Sequence, residues 1–294
     1  MSGNSGERIE ASRYRGRARD GKAGRAEMPD LGSWLQTLRR LRRDQETGRV
    51  LSREKAADLL GVSDSYVKQI ERNRVVPSRG VVERFVERYE LTPRQARYTR
   101  ELAAPALELP TVDDLRRQLA IADRLDDLEF FDSKGVIYGV TDPVWNVVVG
   151  NKSFYQAMPG LHEEADDNVA LWHFRPGAGE SPAKHVAVDW HGEAVWLVAI
   201  IRAGLARFRG CREAWTVLRR LRASDEFNAL WRDNPTAVVY SRGPETPCHM
   251  RDPDTGQPWT ASIQISEIPD DDALVDPYLR VHQVRRREYA GPEL

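Results

Sequence analysis

Between Leu31 and about Ala104, apolar residues recur at helical spacing throughout. Leu31, Trp34, Leu35, Leu38 and Leu41 fall at three- and four-residue intervals and predict one buried stripe. Leu51 to Leu60 predicts a second helix, with Ser52 as its N-cap and Glu54 in the first turn, where an acid complements the helix dipole. Gly61-Val62-Ser63 interrupts the pattern, and Ser63 caps a third helix from Asp64 to Arg72. Val81, Val82, Phe85, Val86 and Tyr89 mark a fourth, and Thr92-Pro93 opens a fifth with proline at its first position. Pro105 and Pro110 bracket a linker, residues 105–112.

Past the linker the periodicity is mixed. Asp113 to Asp127 reads as a helix, and Asn151 to Met158 as a short one. Val136–Val140 and Trp145–Val149 are strand-like runs on either side of a Thr141-Asp142-Pro143 turn signal. Trp190 to Trp231 is mostly helical, with breaks near Gly210 and Ser224. Ala237–Ser241, Pro247–Arg251, Trp259–Ile265 and Tyr278–Arg285 read as strands, with Asp252–Gly256 as a hairpin turn. Residues 1–29 set Gly3, Gly6, Gly16, Gly21 and Gly24 among arginines with almost no apolar residue, which predicts a flexible basic tail. The expected fold class is therefore α+β in two domains: an all-α five-helix unit over 30–104 and a mixed α/β unit over 113–294.

Composition agrees with that division. The 294 residues are 40 % hydrophobic and 30 % charged, enough for two cored globular units. No stretch nears the roughly 20 apolar residues of a membrane span, and the arginine-rich start lacks the apolar core of a secretory signal. Cys211 and Cys248 are too few for a disulfide framework or a cysteine-rich zinc site, so a reducing cytoplasm is the expected location. The net charge of −1 conceals an asymmetry. Residues 1–100 carry 23 Lys/Arg against 14 Asp/Glu, a surplus of nine, which leaves −10 for the remainder. A basic front on an acidic body fits a polyanionic partner for the front; a solvated charged surface gives the same count.

Two helices joined across Gly-Val-Ser, with the small Ala57 inside the first, have the geometry of a helix-turn-helix. Leu60, Val67 and Ile70 then point inward, while Asp64, Ser65, Lys68 and Gln69 share the exposed side. Asn73, after the third helix, is one of the few non-glycine types that tolerate a left-handed cap. Leu51 to Ser63, followed by Tyr66 to Arg72 and Pro77-Ser78, resembles the Cro/CI (Xre) helix-turn-helix family over about 70 residues. The resemblance implies that the Asp64–Arg72 helix enters the major groove of double-stranded DNA, usually as one half of a homodimer on paired half-sites. Asp64, Ser65, Lys68 and Gln69 would face base edges, and Gln69 can pair bidentately with adenine. Ser52, Arg53, Tyr66, Arg72, Arg74 and Arg79 would hold phosphates. Asp64 has two readings, a hydrogen bond from cytosine or stabilisation of its own helix terminus. The tail arginines also have two: a minor-groove arm or a solvated leader.

The second half is similar to the ligand-binding domain of MmyB-like transcription regulators over about residues 113–288. The similarity is carried by Val140 to Asn151, by Asp189-Trp190 ahead of a long helix with Arg202, by Ser224–Phe227 with Leu230-Trp231, and by His249 before Asp254-Thr255-Gly256. It implies a PAS-like antiparallel sheet with packed helices and a small, largely apolar ligand. Trp145, Asn151, Trp190, Arg202, Trp231 and His249 are the implied ligand-binding residues. Met250 stands where the family usually has proline, which puts the local turn and the role of His249 in question. Each tryptophan suits a core as well as a pocket wall, Asn151 and His249 suit a cap or turn, and Arg202 needs either a ligand anion or an internal carboxylate. Without a ligand, the second half would serve as a dimerisation or protein-interaction platform.

Enzymatic chemistry finds no support. The six histidines lack metal-ligand spacing, and neither a nucleophile elbow nor a phosphate loop is present. Asp270-Asp271-Asp272 reads as an exposed loop in preference to a metal site. The expectation is a non-enzymatic regulator with no metal and no cofactor.

Overall fold

The computed structural model describes residues 25–44, 46–121, 125–177, 179–242, 246–267 and 278–292. The basic stretch 1–24 and Asp270-Asp271-Asp272 lie outside the described residues. The first domain holds helices α1 (Leu31–Leu41), α2 (Arg53–Leu60), α3 (Asp64–Glu71), α4 (Arg79–Arg88) and α5 (Pro93–Ala103). Four of the five are capped at the N-terminus by their own side chains. Asp30, Ser52, Ser63 and Thr92 accept from Ser33, Lys55, Tyr66 and Gln95 amides, and Thr92 with Gln95 forms a reciprocal capping box. Leu35, Leu60, Val67, Ile70, Phe85 and Tyr98 close the core. A buried ion pair crosses it, Arg39 Nε to Glu71 Oε1 at 2.5 Å, and Arg39 also donates to the Leu51 carbonyl.

The second domain opens with α6 (Val112–Ile121) and α7 (Asp126–Ser133), two helices where the sequence pattern predicts one. Strands β1 (Val136–Thr141) and β2 (Val147–Gly150) follow. Next come helices α8 (Lys152–Ala157), α9 (Leu161–Ala165), α10 (Val169–Phe174), α11 (Ala183–Val186), α12 (Trp190–Arg207), α13 (Arg212–Leu221) and α14 (Asp225–Asp233). Strands β3 (Cys248–Arg251), β4 (Pro258–Glu267) and β5 (Arg280–Arg287) end the domain. The five strands make one antiparallel sheet in the order β2-β1-β5-β4-β3, as the α+β reading requires.

Side chains alternate across a strand, and both faces of β1 are covered, which is why all six of its residues are buried. Tyr138 and Val140 pack under Leu115 and Leu119 of α6 and near Phe131 of α7. Ile137 belongs to the larger cluster with Phe154 of α8 and Leu197, Val198 and Ile201 of α12. Gly204 of α12 permits an unusually close approach: a Cβ there would sit 2.3 Å from the Pro143 carbonyl oxygen. The β1–β2 turn therefore rests directly on α12.

Two expectations are corrected. Ala237–Ser241 is not a strand; its backbone turns to α12 instead, with the Val239 amide donating to the Ala199 carbonyl. The tail does not stay free up to residue 29. Ala26 is buried against the second domain, where its amide donates to Asn228 Oδ1 at 2.9 Å and its carbonyl accepts from Arg222.

The domains are joined by more than the linker. Arg209, just beyond α12, donates to the Glu101, Leu102 and Ala104 carbonyls at the C-terminal end of α5, where the helix leaves acceptors unsatisfied. Ala206 and Val238 enter the core cluster of the first domain, and the Arg97 guanidinium lies over the Tyr240 ring at 3.8 Å. The linker itself is docked, with the Leu107 amide donating to the Arg207 carbonyl.

Candidate functional site

The helix-turn-helix is set by short-range chemistry. α2 ends on Gly61 in the left-handed region (φ 63°), where its N–H reaches the Ala57 and Asp58 carbonyls. Ser63 Oγ then caps α3 at the Tyr66 amide, 3.2 Å. Val67, Ile70 and Glu71 face inward. Asp64, Ser65, Lys68, Gln69 and Arg72 are exposed on the opposite side and Tyr66 is half-buried. Ser65 shares a hydrogen bond with Ser63, 3.0 Å between hydroxyl oxygens. Among the described residues, Asp64, Lys68, Gln69, Arg72, Arg74 and Arg79 have no ion pair or side-chain hydrogen bond, and no part of the second domain covers them. Ser52 and half-buried Arg53 stand at the start of α2; Arg53 Nε lies 3.9 Å from Glu71.

The far end of α3 is held by Asn73, whose φ of 53° realises the left-handed cap that its side chain tolerates. Its Oδ1 accepts from the Gly32 amide at 2.8 Å and its amide nitrogen donates to Asp30. Asp30 is also the N-cap of α1. α3 is thus fastened to α1 by a polar knot.

The second domain holds an apolar cavity of about 140 Å³ between the sheet and α8 and α12. That is close to the roughly 150 Å³ of an engineered cavity in another protein that accepts benzene. Ile137, Met158, Ile263 and Val284 supply much of its apolar wall. Three indoles line it, Trp145, Trp196 and Trp259, and none of their N–H groups has an acceptor among the described residues. Buried indole N–H groups usually find one. Trp145 is positioned by strain and by a carboxylate. Its φ is 72°, and Asp142 holds the turn by accepting from the Val144 and Asn146 amides, both at 2.9 Å. Burial lifts the Asp142 carboxyl to about 6, against the pull of those donors. His282, also on the wall, hydrogen-bonds Thr141 at 2.8 Å, and burial drives its pKa down to about 3. Glu193 and Arg242 form an ion pair at the cavity, with the guanidinium 4.3 Å over the Trp196 ring.

Only Trp145 of the six residues expected at the ligand lines this cavity. Asn151 is spent inside the fold: it caps α8 at the Phe154 amide, accepts from the Tyr138 amide and donates to the Val136 carbonyl. Trp190 stacks on His173 at 5.3 Å and donates to the His173 carbonyl, away from the cavity. His249 hydrogen-bonds Thr260 on the neighbouring strand. Among the described residues Arg202 pairs with no carboxylate; it donates to the Trp231, Asn234 and Ala237 carbonyls, and it lies 4.3 Å from the Trp231 ring centre. Arg202 and Trp231 line a different cavity, between the domains. Trp196 and Trp259 are among the tryptophans that suit a core or a pocket wall alike, whereas nothing local in the sequence marks His282.

Residues 138–284 match the family described as the MmyB-like transcription regulator ligand binding domain, and residues 35–98 match a helix-turn-helix domain. The chain belongs to the MmyB-like transcription regulators. No curated protein matches it. In this MmyB-like regulator the matched helix-turn-helix segment contains α2, α3 and α4 entire, and the matched ligand-binding segment contains every wall residue of the sheet cavity but Ile137. No described helix is long and apolar enough to cross a membrane, and the described Cys211 and Cys248 are both free thiols.

Proposed function

We propose that this regulator binds double-stranded DNA at a specific operator, and that a small, largely apolar ligand in the sheet cavity modulates that binding. The observation that carries the first part is the open face of α3: Ser65, Lys68 and Gln69 point to solvent, beside unpaired Arg72 and Arg74. Ser65, Lys68 and Gln69 read base edges. Ser52, Arg53, Tyr66, Arg72, Arg74 and Arg79 hold the backbone, and the capped N-terminus of α2 adds its dipole to them. Asp64, at the first position of α3, steadies the helix terminus and keeps its carboxylate clear of the phosphates. Two chains on half-sites one helical turn apart complete the complex.

Three acceptor-less indole donors support an apolar ligand bearing a hydrogen-bond acceptor. The route to the DNA is α12. Glu193 and Trp196 on its first half line the cavity, and Arg209 just past its end grips α5. A ligand that moves α12 shifts the population of domain arrangements, and couplings of this kind typically run to about 1–3 kcal/mol.

Fluorescence anisotropy with duplex DNA over a salt series tests the DNA reading. Arg72→Ala and Arg74→Ala should each reduce the salt slope by about one; a slope unchanged in both removes these residues from the interface. Native mass spectrometry of the purified chain tests the ligand reading. A bound apolar molecule supports it, and a ligand-free protein that binds its operator unaltered in metabolite extract favours the interaction-platform reading.

A further inference from the structure

A second cavity, of about 330 Å³, lies in the cleft between the two domains. It is more than twice the volume of the sheet cavity, shares no wall residue with it, and falls at the lower end of the roughly 300–1,000 Å³ range of small-molecule sites. Trp34 and Tyr98 of the DNA-binding domain form one wall, Arg202 and Trp231 of the ligand-binding domain another.

Two polar groups deep in this cavity are incompletely satisfied. Arg202 is 3 % exposed, yet no carboxylate pairs with it among the described residues. Its bonds to three carbonyls use three of the five guanidinium N–H groups, which leaves Nε–H and one Nη2–H without an acceptor among the described residues. Tyr98 is 2 % exposed, and its hydroxyl has no hydrogen-bond partner among the described residues. Its ring meets Trp34 edge-on, at 4.7 Å. The two groups line the same cavity. A largely buried cation without a counter-charge is a costly arrangement, and one anionic acceptor in the cavity can take the free donors of both groups. Exposed Arg25, Arg232 and Glu27 also line the wall, as does Asp30, which is engaged by Ser33 and Asn73.

We propose that the interdomain cavity is a second ligand site, taking a small carboxylate with a flat apolar body. The carboxylate is held by Arg202 and the Tyr98 hydroxyl, and the body packs against the Trp34 and Trp231 indoles. The occupant touches both domains at once, so its binding favours the docked arrangement over any in which the domains part. The sheet cavity plays no part in this site.

The test is saturation-transfer NMR and calorimetry on the full chain with benzoate, phenylacetate and indole-3-acetate, each beside its neutral amide. At least one carboxylate should bind, at least tenfold more tightly than its amide. Tyr98→Phe, which keeps the ring and removes only the hydroxyl, should weaken that binding three- to tenfold, and Arg202→Gln should abolish it. If Arg202→Gln fails to fold, Tyr98→Phe and the acid–amide comparison decide the matter. Ala157→Met, which fills the sheet cavity, should leave the carboxylate affinity unchanged. The proposal is overturned if no carboxylate binds, if acid and amide bind alike, if Tyr98→Phe has no effect, or if Ala157→Met removes the binding.

Discussion

The Tyr240 hydroxyl donates to Glu101 Oε2 at 2.6 Å, so a side chain of the ligand-binding domain closes on the last helix of the DNA-binding domain. Arg97 joins the same cluster, bonded to Glu101 at 2.9 Å and lying over the Tyr240 ring. Hydrogen bonds to charged groups contribute about 1.5–3 kcal/mol. Because Arg97 still satisfies Glu101 when the hydroxyl is gone, Tyr240→Phe should cost near the lower end, about 1.5 kcal/mol. Hydrogen exchange is the check: α5 amides should lose protection in the variant, and unchanged protection would mean the junction does not depend on this bond.

The ion pair beneath the recognition helix is buried on both sides, with side chains 9 % and 4 % exposed at Arg39 and Glu71. Removing one partner of such a pair leaves an uncompensated charge and typically costs about 3–5 kcal/mol. Glu71→Gln should therefore lower the unfolding free energy of the DNA-binding domain, read from urea unfolding, by an amount in that range. A loss under about 1 kcal/mol would show that Arg39 is sufficiently held by the Leu51 carbonyl alone.

Two buried histidines make stability depend on pH. Burial holds His173 and His282 near 3 in the folded chain, against 6.5 unfolded. Below 6.5 the unfolded chain takes up protons that the folded one refuses, so stability is lost as pH falls. Linkage gives about 2 kcal/mol per histidine between pH 7 and 5. Asp142, lifted to about 6 by burial, acts in the opposite sense over the same range and returns part of the loss. Urea unfolding at several pH values should show the decline in the wild type and a shallower one in His173→Phe. Parallel curves would mean that His173 titrates alike in the folded and unfolded chain.

Filling the sheet cavity should separate ligand from DNA. Ala157 is buried on its wall, and Ala157→Met places a flexible apolar chain in the space. The variant should lose the co-purified molecule while retaining wild-type operator affinity in the absence of ligand. Retention of the molecule would move the sensing site elsewhere.

Local chemistry was legible in the sequence and long-range packing was not. Ser52, Ser63 and Thr92 are read as caps because each acts within three residues of itself, and Gly61 and Asn73 because their backbone conformations are a matter of residue type. The wall of the sheet cavity depends on β5 returning to lie beside β1, which brings His282 to Thr141 across 141 positions. No periodicity records that pairing. Ala237–Ser241 has strand-like residues but finds its partner in α12, and Arg202 finds carbonyls where charge logic suggests a carboxylate. Trp190 and Trp231 are large rings like those of the cavity, and only the tertiary path of the chain separates them from it.

The most direct test is selection of bound duplexes from a random DNA library by the full chain and by Gln69→Ala. The wild type should enrich one half-site sequence. The variant should keep the site but relax at one or two adjacent positions, with a discrimination loss of about 1–3 kcal/mol there. A wild type that enriches no sequence, or a variant that enriches the same sequence with the same discrimination, would contradict base reading by α3.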